Sequence, residues 1–554
     1  MSLTRQKAGK LTYKNDGTGA VVRTIKDKLG ETVSVKDFGA VGDAVTDDTA
    51  AIQAAIATGN SVFFPAGTYI VSGILSPLAN TTVYGDNATV KAATGSSATY
   101  IFKTAKDEDY VTIRDLTIDG NGVLLRGIGL LSSYCLVSNC LVKNCDYGIA
   151  ISGNYQSTYD PTYYVDGCVI ENNKILTTTR HAILTEHHAR NSTITGNYID
   201  GVSTSGFYGI NLSEGSSLIS VTDNHIENVS YGIKCPSSRI TIKGNKITTT
   251  LHGQGISVGS NPAATSSWDD VDPLDYNVCS HNTILDTYLE GIIITGNRCM
   301  VSDNIVAECG YTASISGISV KGTDVLVTNN MVYADNRIGI LIPTDGQDKT
   351  VSGNTIFTDY EGIRIDETAR CFIRDNTIKN VSGTVDVGIN ITAGLSNAQI
   401  TSNYFTGCVD AIKCSGGLNT VSICNNVGES DNTNFLSILS TASQCVISNN
   451  LSTAASTYDL VISDSDGVTN TIITGNNFYD TNIVSGGGNF VLFATSNIVH
   501  DNHTRNTSQI KTYNQNPTNI GGGYTMWVDA TGDLRIKSGL ATSDTDGTVV
   551  GTQS

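Results

Sequence analysis

The chain is poor in proline, tryptophan and methionine, with 8, 2 and 4 copies in 554 residues, and it has no long apolar run. No stretch approaches the ~20 apolar residues that a membrane-spanning helix needs. The opening Met1-Ser2-Leu3-Thr4-Arg5-Gln6-Lys7 lacks the apolar core of a signal peptide, which predicts synthesis in a cytoplasm. Positive charge is also scarce: 34 Lys and Arg face 52 Asp and Glu, a net charge of −18. That balance argues against nucleic acid and anionic membranes as partners. None of the 13 Cys forms a CxxC pair, which argues against zinc, and an odd count in a long chain reads as buried free thiols. No metal and no cofactor is expected.

What the chain does have is a repeat. A polar residue followed by Asn, any residue and an aliphatic or Phe recurs from Asn139 to Asn502, through Asn173, Asn197, Asn224, Asn245, Asn425 and Asn449 among others. A second phrase, Gly-Ile-x-apolar, recurs between these Asn residues, as at Gly148-Ile149, Gly209-Ile210, Gly232-Ile233 and Gly362-Ile363, with Ala for Gly at Ala182-Ile183 and Ala411-Ile412. Short alternating β-branched runs such as Ser192-Thr193-Ile194-Thr195 lie between the landmarks, as in half-buried strands. A period of 21–27 residues holds three short strands and three bends. The expected fold is therefore all-β: a right-handed parallel β-helix with a short N-terminal capping helix and a small C-terminal β region. The recurrent Asn reads as scaffold, its amide bonding along the stack at a bend where Asn tolerates left-handed geometry.

The segment 33–70, VSVKDFGAVGDAVTDDTAAIQAAIATGNSVFFPAGTYI, differs from the repeat. Asp47, Asp48 and Thr49 suit a helix start, and Ile52, Ala55 and Ile56 form one apolar face that would cover the open end of the column. Asp37, Asp43, Asp47 and Asp48 are read as turn and cap residues. The run DFGAVGD, then TDDTAAIQAAI, then FFPAGTY resembles the start of the pectate-lyase-like right-handed β-helix. The preceding VVRTIKDKLGETVSV is similar to phage tailspikes and capsule depolymerases. The resemblance implies a homotrimeric spike on a phage tail, docked to another tail or baseplate protein through its N-terminus, that binds and cleaves a bacterial surface polysaccharide outside the cell. It supplies no catalytic residues. The expected domains are 1–30 (attachment peptide or leader), 31–110 (start of the column and capping helix), 111–502 (β-helix with the catalytic and receptor-binding surface) and 503–554 (cap and trimerisation region).

Loop lengths point to a site. Most coils run 12–14 residues from the Gly-Ile isoleucine to the next Asn, but the counts from Ile149 and Ile256 are 24 and 26. Two insertions at one bend result, the first with Tyr159, the second with Trp268, Asp269 and Asp270. Long loops on a rigid scaffold carry function, and aromatic faces stack on the C–H faces of sugars. Between them, RHAILTEHHAR at 180–190 is the densest ionisable cluster in the chain. Glu186 and Glu214 are the expected acid and nucleophile or base of glycoside hydrolysis, with His181 and His187 beside them. Arg180, Arg190, Tyr208 and Lys234 are expected to bind substrate, with Tyr231 near Lys234 on the same floor. A lyase using a His or Tyr base, and a non-catalytic adhesin, are the alternatives. Asp345, Asp366 and Glu367 form a second-choice site. Glu290 and Glu361 each precede a Gly-Ile, but three coils apart they cannot share one sugar bond.

Overall fold

The computed structural model describes residues 11–123, 125–152, 163–186, 188–202, 204–213, 215–259, 276–310, 315–335, 337–344, 346–366, 370–381, 387–429, 432–453, 455–462, 468–478, 483–485, 498–500, 503–504, 524–528, 533–538 and 548–552. They fall into two compact units, Met1–Asn297 and Arg298–Ser554. Each unit is a parallel β-solenoid in which successive coils pair in register.

One coil of the first unit shows the construction. Its strands are Ile183–Glu186, Thr193–Thr195 and Tyr198–Asp200. They pair with the next coil through Ile183↔Ile210, Thr193↔Ser220 and Tyr198↔His225. Ile183, Ile194 and Ile199 are fully buried and fill the coil from its three sides. The second unit repeats the pattern in Glu361–Ile365, Cys371–Arg374 and Thr377–Asn380. The glycine of Gly-Ile stands at a close approach: a Cβ on Gly232 would lie 2.1 Å from the Gly255 carbonyl oxygen of the next coil. All 13 cysteines are free, and all but Cys424 are buried, as small apolar fillers.

The Asn ladder runs as two described series. In the first unit Asn173, Asn197, Asn224, Asn245 and Asn282 are linked, each amide nitrogen donating to the next amide oxygen at 3.0 Å. In the second, Asn304, Asn330, Asn354, Asn376, Asn403, Asn426, Asn450 and Asn476 are linked in the same way. Each oxygen also accepts the backbone N–H of the preceding ladder Asn, for example Asn403 N to Asn426 Oδ1 at 3.0 Å. The structure corrects the sequence reading here. Asn425 and Asn449 are not ladder members; Asn426 and Asn450 are. Asn139 is not a member either, because Cys140 takes its slot, donating its backbone N–H to Asn173 Oδ1 at 2.9 Å. The left-handed residue is the one before the ladder position: Asn139, Asn425 and Asn449 have φ of 53°, 58° and 55°. The bend needs positive φ one residue earlier, which lets the following amide turn inward.

The segment before the repeat contains a helix at Thr49–Ile56 that buries Ile52, Ala55 and Ile56. Its N-cap residue, Asp48, makes no side-chain cap bond. Its buried carboxylate accepts instead the backbone N–H groups of Val41 and Gly42, at 2.7 and 3.1 Å, and ties the preceding loop to the helix. Asp47 takes the Thr49 N–H at 3.0 Å, Asp43 those of Val45 and Thr46, and Asp37 that of Ser34. Near the other end, Tyr524–Val528, Asp533–Ser538 and Thr548–Thr552 form a three-stranded antiparallel sheet. Among the described residues no helix is long and apolar enough to cross a membrane.

Candidate functional site

Register brings the residue before each Gly-Ile into one ladder along the coils. In the first unit it reads Arg126 and Tyr147, then His181, Tyr208 and Tyr231, and the fully buried Tyr100 continues the register on the preceding coil. The glycine that follows turns inward, so the preceding side chain stands on the outer face while the isoleucine fills the core. Neighbouring rings touch: Tyr147 and His181 centroids lie 5.8 Å apart, His181 and Tyr208 5.8 Å, and Tyr208 and Tyr231 4.8 Å. Cations cover several faces, with Arg126 4.7 Å and Arg180 5.4 Å from the Tyr147 centroid and Lys234 5.5 Å from that of Tyr208. Tyr231 lies over Gly253, where a Cβ would meet its Cδ1 at 1.7 Å.

His181 sits inside this surface, 8% exposed. Its Nδ1 accepts the Tyr208 backbone N–H at 2.9 Å, and its Nε2 faces the Asn211 amide at 3.2 Å. A ring whose Nδ1 accepts carries its one neutral-form proton on Nε2. Burial, and then the Lys234 charge, push its pKa down to about 4. Burial pushes the Tyr208 hydroxyl up to about 12. Glu186 lies on the same face, its side chain 16% exposed. Arg126 Nη2 reaches its Oε1 at 2.6 Å, and the Ser152 hydroxyl donates to its Oε2 at 2.5 Å. Arg180 pairs with Asp146 at 3.3 Å and donates to the Tyr147 hydroxyl at 2.9 Å. Arg190 pairs with Asp166 at 3.4 Å and stacks 4.0 Å from the Tyr164 centroid.

The structure thus places Glu186, His181, Arg180, Tyr208 and Lys234 on neighbouring coils of one face, with Arg190 on the following short strand Ala189–Arg190. Glu214, His187, Tyr159, Trp268, Asp269 and Asp270, and with them residues 153–162 and 260–275 of the two insertions, lie outside the described residues, as do Asp345 and Glu367. Asp366, in the second unit, stands three residues after its Gly-Ile isoleucine, as Glu186 does after Ile183. It takes Arg364 Nε at 2.8 Å and the Thr392 hydroxyl.

Sequence reasoning missed Arg126 and Tyr147 as members of this surface, and Asp410 in the second unit. The missed signal was positional: each directly precedes a Gly-Ile or Ala-Ile pair.

A family model described as rhamnogalacturonase A/epimerase, pectate lyase-like, matches residues 32–112. A second, described as periplasmic copper-binding protein (NosD), matches twice, over 79–267 and 265–422. Among the described residues no three His, Cys, Asp or Glu side chains gather as a copper ion would require. Burial also holds the Cys140 and Cys145 thiols up at about 12, away from the thiolate that ligates metal. The described donors do not fit a copper site.

The tail spike protein of an Escherichia phage is 45% identical over 62 residues, 11% of this chain and 8% of that protein. A mannuronan C5-epimerase of Azotobacter vinelandii is 41% identical over 107 residues, 16% of this chain and 11% of that enzyme. The plasmin and fibronectin-binding protein A of Streptococcus pneumoniae is 25% identical over 433 residues, 65% of this chain and 59% of that protein. The chain therefore spans less than two thirds of the length of these curated relatives. The model that matches twice accounts for more than half of the chain, so the chain belongs to the NosD family, and its opening segment makes it similar to tailspikes of the pectate-lyase-like β-helix group.

Proposed function

We propose that the protein is a phage tail protein that binds a bacterial surface polysaccharide along the ring-and-cation face of its first unit and cleaves its glycosidic bonds by hydrolysis. The observation that carries this reading is the ladder Tyr147, His181, Tyr208 and Tyr231, continuous over consecutive coils. The half-buried Tyr147, Tyr208 and Tyr231, one or two strand spacings of about 4.8 Å apart, suit an extended polymer of sugar rings. Arg126, Glu186, Arg180 and Lys234 at the margins supply donors and acceptors for hydroxyl groups. The tail-spike relative supports the phage setting, and the epimerase relative supports a polysaccharide substrate.

Hydrolysis is preferred to β-elimination because the described base candidates on this face are poorly suited to proton abstraction. His181 Nδ1 is occupied by a backbone N–H and its pKa is about 4, so the ring is a weak base; the Tyr208 hydroxyl, at about 12, is a phenol at neutral pH. The same reading makes the protein a homotrimer docked through residues 1–30, which light scattering and pull-down of the tail assembly measure. Adhesion without cleavage is the second reading, favoured by the streptococcal binding-protein relative.

The test is to incubate the protein with purified neutral and uronate-containing bacterial surface polysaccharides, following polymer size, reducing ends and ultraviolet absorbance. Falling size with new reducing ends and no new absorbance supports hydrolysis. New absorbance supports the lyase, and binding without a change in size supports the adhesin. Glu186→Gln, which keeps shape but removes the charge facing Arg126, is expected to weaken glycan binding several-fold; unchanged binding removes Glu186 from the site.

A further inference from the structure

On the second unit the position before Gly-Ile or Ala-Ile carries a carboxyl group in two coils, Glu361 and Asp410. Glu361 pairs in register with Val387, and Val387 with Asp410. Glu361 and Asp410 therefore occupy the same ladder two coils apart, a Cα separation of roughly 9.6 Å from the strand spacing. Both are deeply set, each 7% exposed. Asn390, on the coil between them, donates its Nδ2 to Glu361 Oε1 at 2.8 Å.

The two carboxyl groups keep different company. Asp410 Oδ1 accepts Asn434 Nδ2 at 2.6 Å and the Ser437 hydroxyl at 3.0 Å, and Lys413 Nζ stands 3.9 Å from its Oδ2. Among the described residues Glu361 Oε2 is buried with no hydrogen-bond donor, the Arg364 guanidinium standing 3.8 Å off. Asn390 Oδ1 is likewise buried without a partner among the described residues. Two unpartnered polar atoms on residues already bonded to each other are costly to a folded protein. A site that receives hydroxyl groups from a ligand accounts for both. Arg364 is turned to Asp366, its Nε 2.8 Å from that carboxylate, and so leaves Glu361 short of a full ion pair.

We propose that Glu361 and Asp410 are the acid and base of an inverting glycoside hydrolase site on the second unit. This rests on the reading that the protein acts on a polysaccharide. Asp410 takes a proton from water as the water oxygen bonds to the anomeric carbon from one face. The bond from that carbon to the leaving sugar oxygen breaks on the other face, and that oxygen keeps the electron pair and takes the proton of Glu361. The products are two sugar ends, a protonated Asp410 and an ionised Glu361, and exchange with solvent restores both. Cα atoms two strand spacings apart leave room for a water between the carboxyl groups, as the wider carboxyl spacing of inverting enzymes, ~6.5–9.5 Å, requires. Burial raises the pKa of Glu361, against the Asn390 bond and the Arg364 charge, as a proton donor requires.

The experiment uses the full chain and a polysaccharide that it binds. Wild type, Glu361→Gln and Asp410→Asn are compared for binding, for cleavage and, by proton NMR, for the configuration of the first anomer released. Unchanged circular dichroism and melting establish that the variants fold. The expected result is inverted product from wild type, at least 10³-fold slower cleavage in both variants, and unchanged binding. Azide added to Asp410→Ala is expected to restore turnover and give an inverted glycosyl azide, which a structural role would not produce. Retained configuration, or full activity in either variant, overturns the pair while leaving the polysaccharide reading in place. Binding without cleavage by wild type does the same. Failure of the wild type to bind any of the polysaccharides overturns the underlying reading, and the pair with it.

Discussion

Two adjacent asparagines, one on the inner ladder and one at the bend, give a sharp test of what holds the coils together. Asn426 makes four bonds through its amide: it accepts the Asn403 backbone N–H and Nδ2, each at 3.0 Å, and donates to the Ile400 carbonyl at 2.9 Å and to Asn450 Oδ1 at 3.0 Å. Asn426→Ala removes all four and leaves the Asn403 N–H buried without an acceptor. At about 1 kcal/mol net per bond, with about 1–3 kcal/mol for the orphaned N–H, the loss is about 5–7 kcal/mol. Asn425 sits one residue earlier at φ 58° and is replaceable by Gly, which adopts that φ without strain. Asn425→Gly is expected to change stability by less than about 1 kcal/mol. Guanidinium unfolding followed by far-ultraviolet circular dichroism, by midpoint where reversible and by rate otherwise, compares the two. Equal effects, or a cost below about 1 kcal/mol for Asn426→Ala, would refute the assignment of the ladder to the inner residue.

Further outcomes follow from the first unit. His181 is held neutral with its pKa lowered to about 4 from an ordinary 6.5, so the unfolded chain binds the proton more readily. Its contribution is present above pH 6.5 and is lost as pH falls towards 4, about 3 kcal/mol in all by linkage. His181→Gln should flatten the stability curve over that window, and an unchanged slope contradicts the buried neutral ring. Gly253→Ala would set a Cβ 1.7 Å from the Tyr231 ring. It is expected to weaken glycan binding at least tenfold by displacing that ring, while Tyr231→Ala does so without the clash. Isothermal titration with an oligosaccharide of the bound polymer measures both, and full affinity in Gly253→Ala excludes Tyr231 from the binding face.

Much of this was legible in the residues. The period of the Asn and Gly-Ile phrases pointed to the coil, because each landmark marks a bend or corner with one steric demand. The helix at Thr49–Ile56 was readable from the apolar face of Ile52, Ala55 and Ile56, and the turn duties of Asp37, Asp43 and Asp47 from their spacing. The register of the ladder was harder. In Cys424-Asn425-Asn426-Val427 either Asn suits the phrase, and only backbone φ decides which amide points inward. Asp48 looked like a helix cap, but loop N–H groups compete for its carboxylate, and burial decides in their favour.

The carboxyl pair stayed hidden for a related reason. Glu361 was visible beside Gly362-Ile363, but its partner precedes Ala411-Ile412, where the landmark is weaker. That both lie on one outward ladder, with Val387 between them, is a property of the strand pairing. The ring surface shows the same limit: Tyr208 and Tyr231 were read as floor residues, whereas Arg126 and Tyr147 join them only through register across coils that the loop-length argument did not reach.

The most direct measurement is the structure of the protein crystallised with an oligosaccharide from a polysaccharide that it binds. Sugar rings stacked on Tyr147, Tyr208 and Tyr231, with hydroxyl groups reaching Glu186 or Lys234, are the predicted result. Oligosaccharide bound only at surfaces away from that ladder would contradict the account.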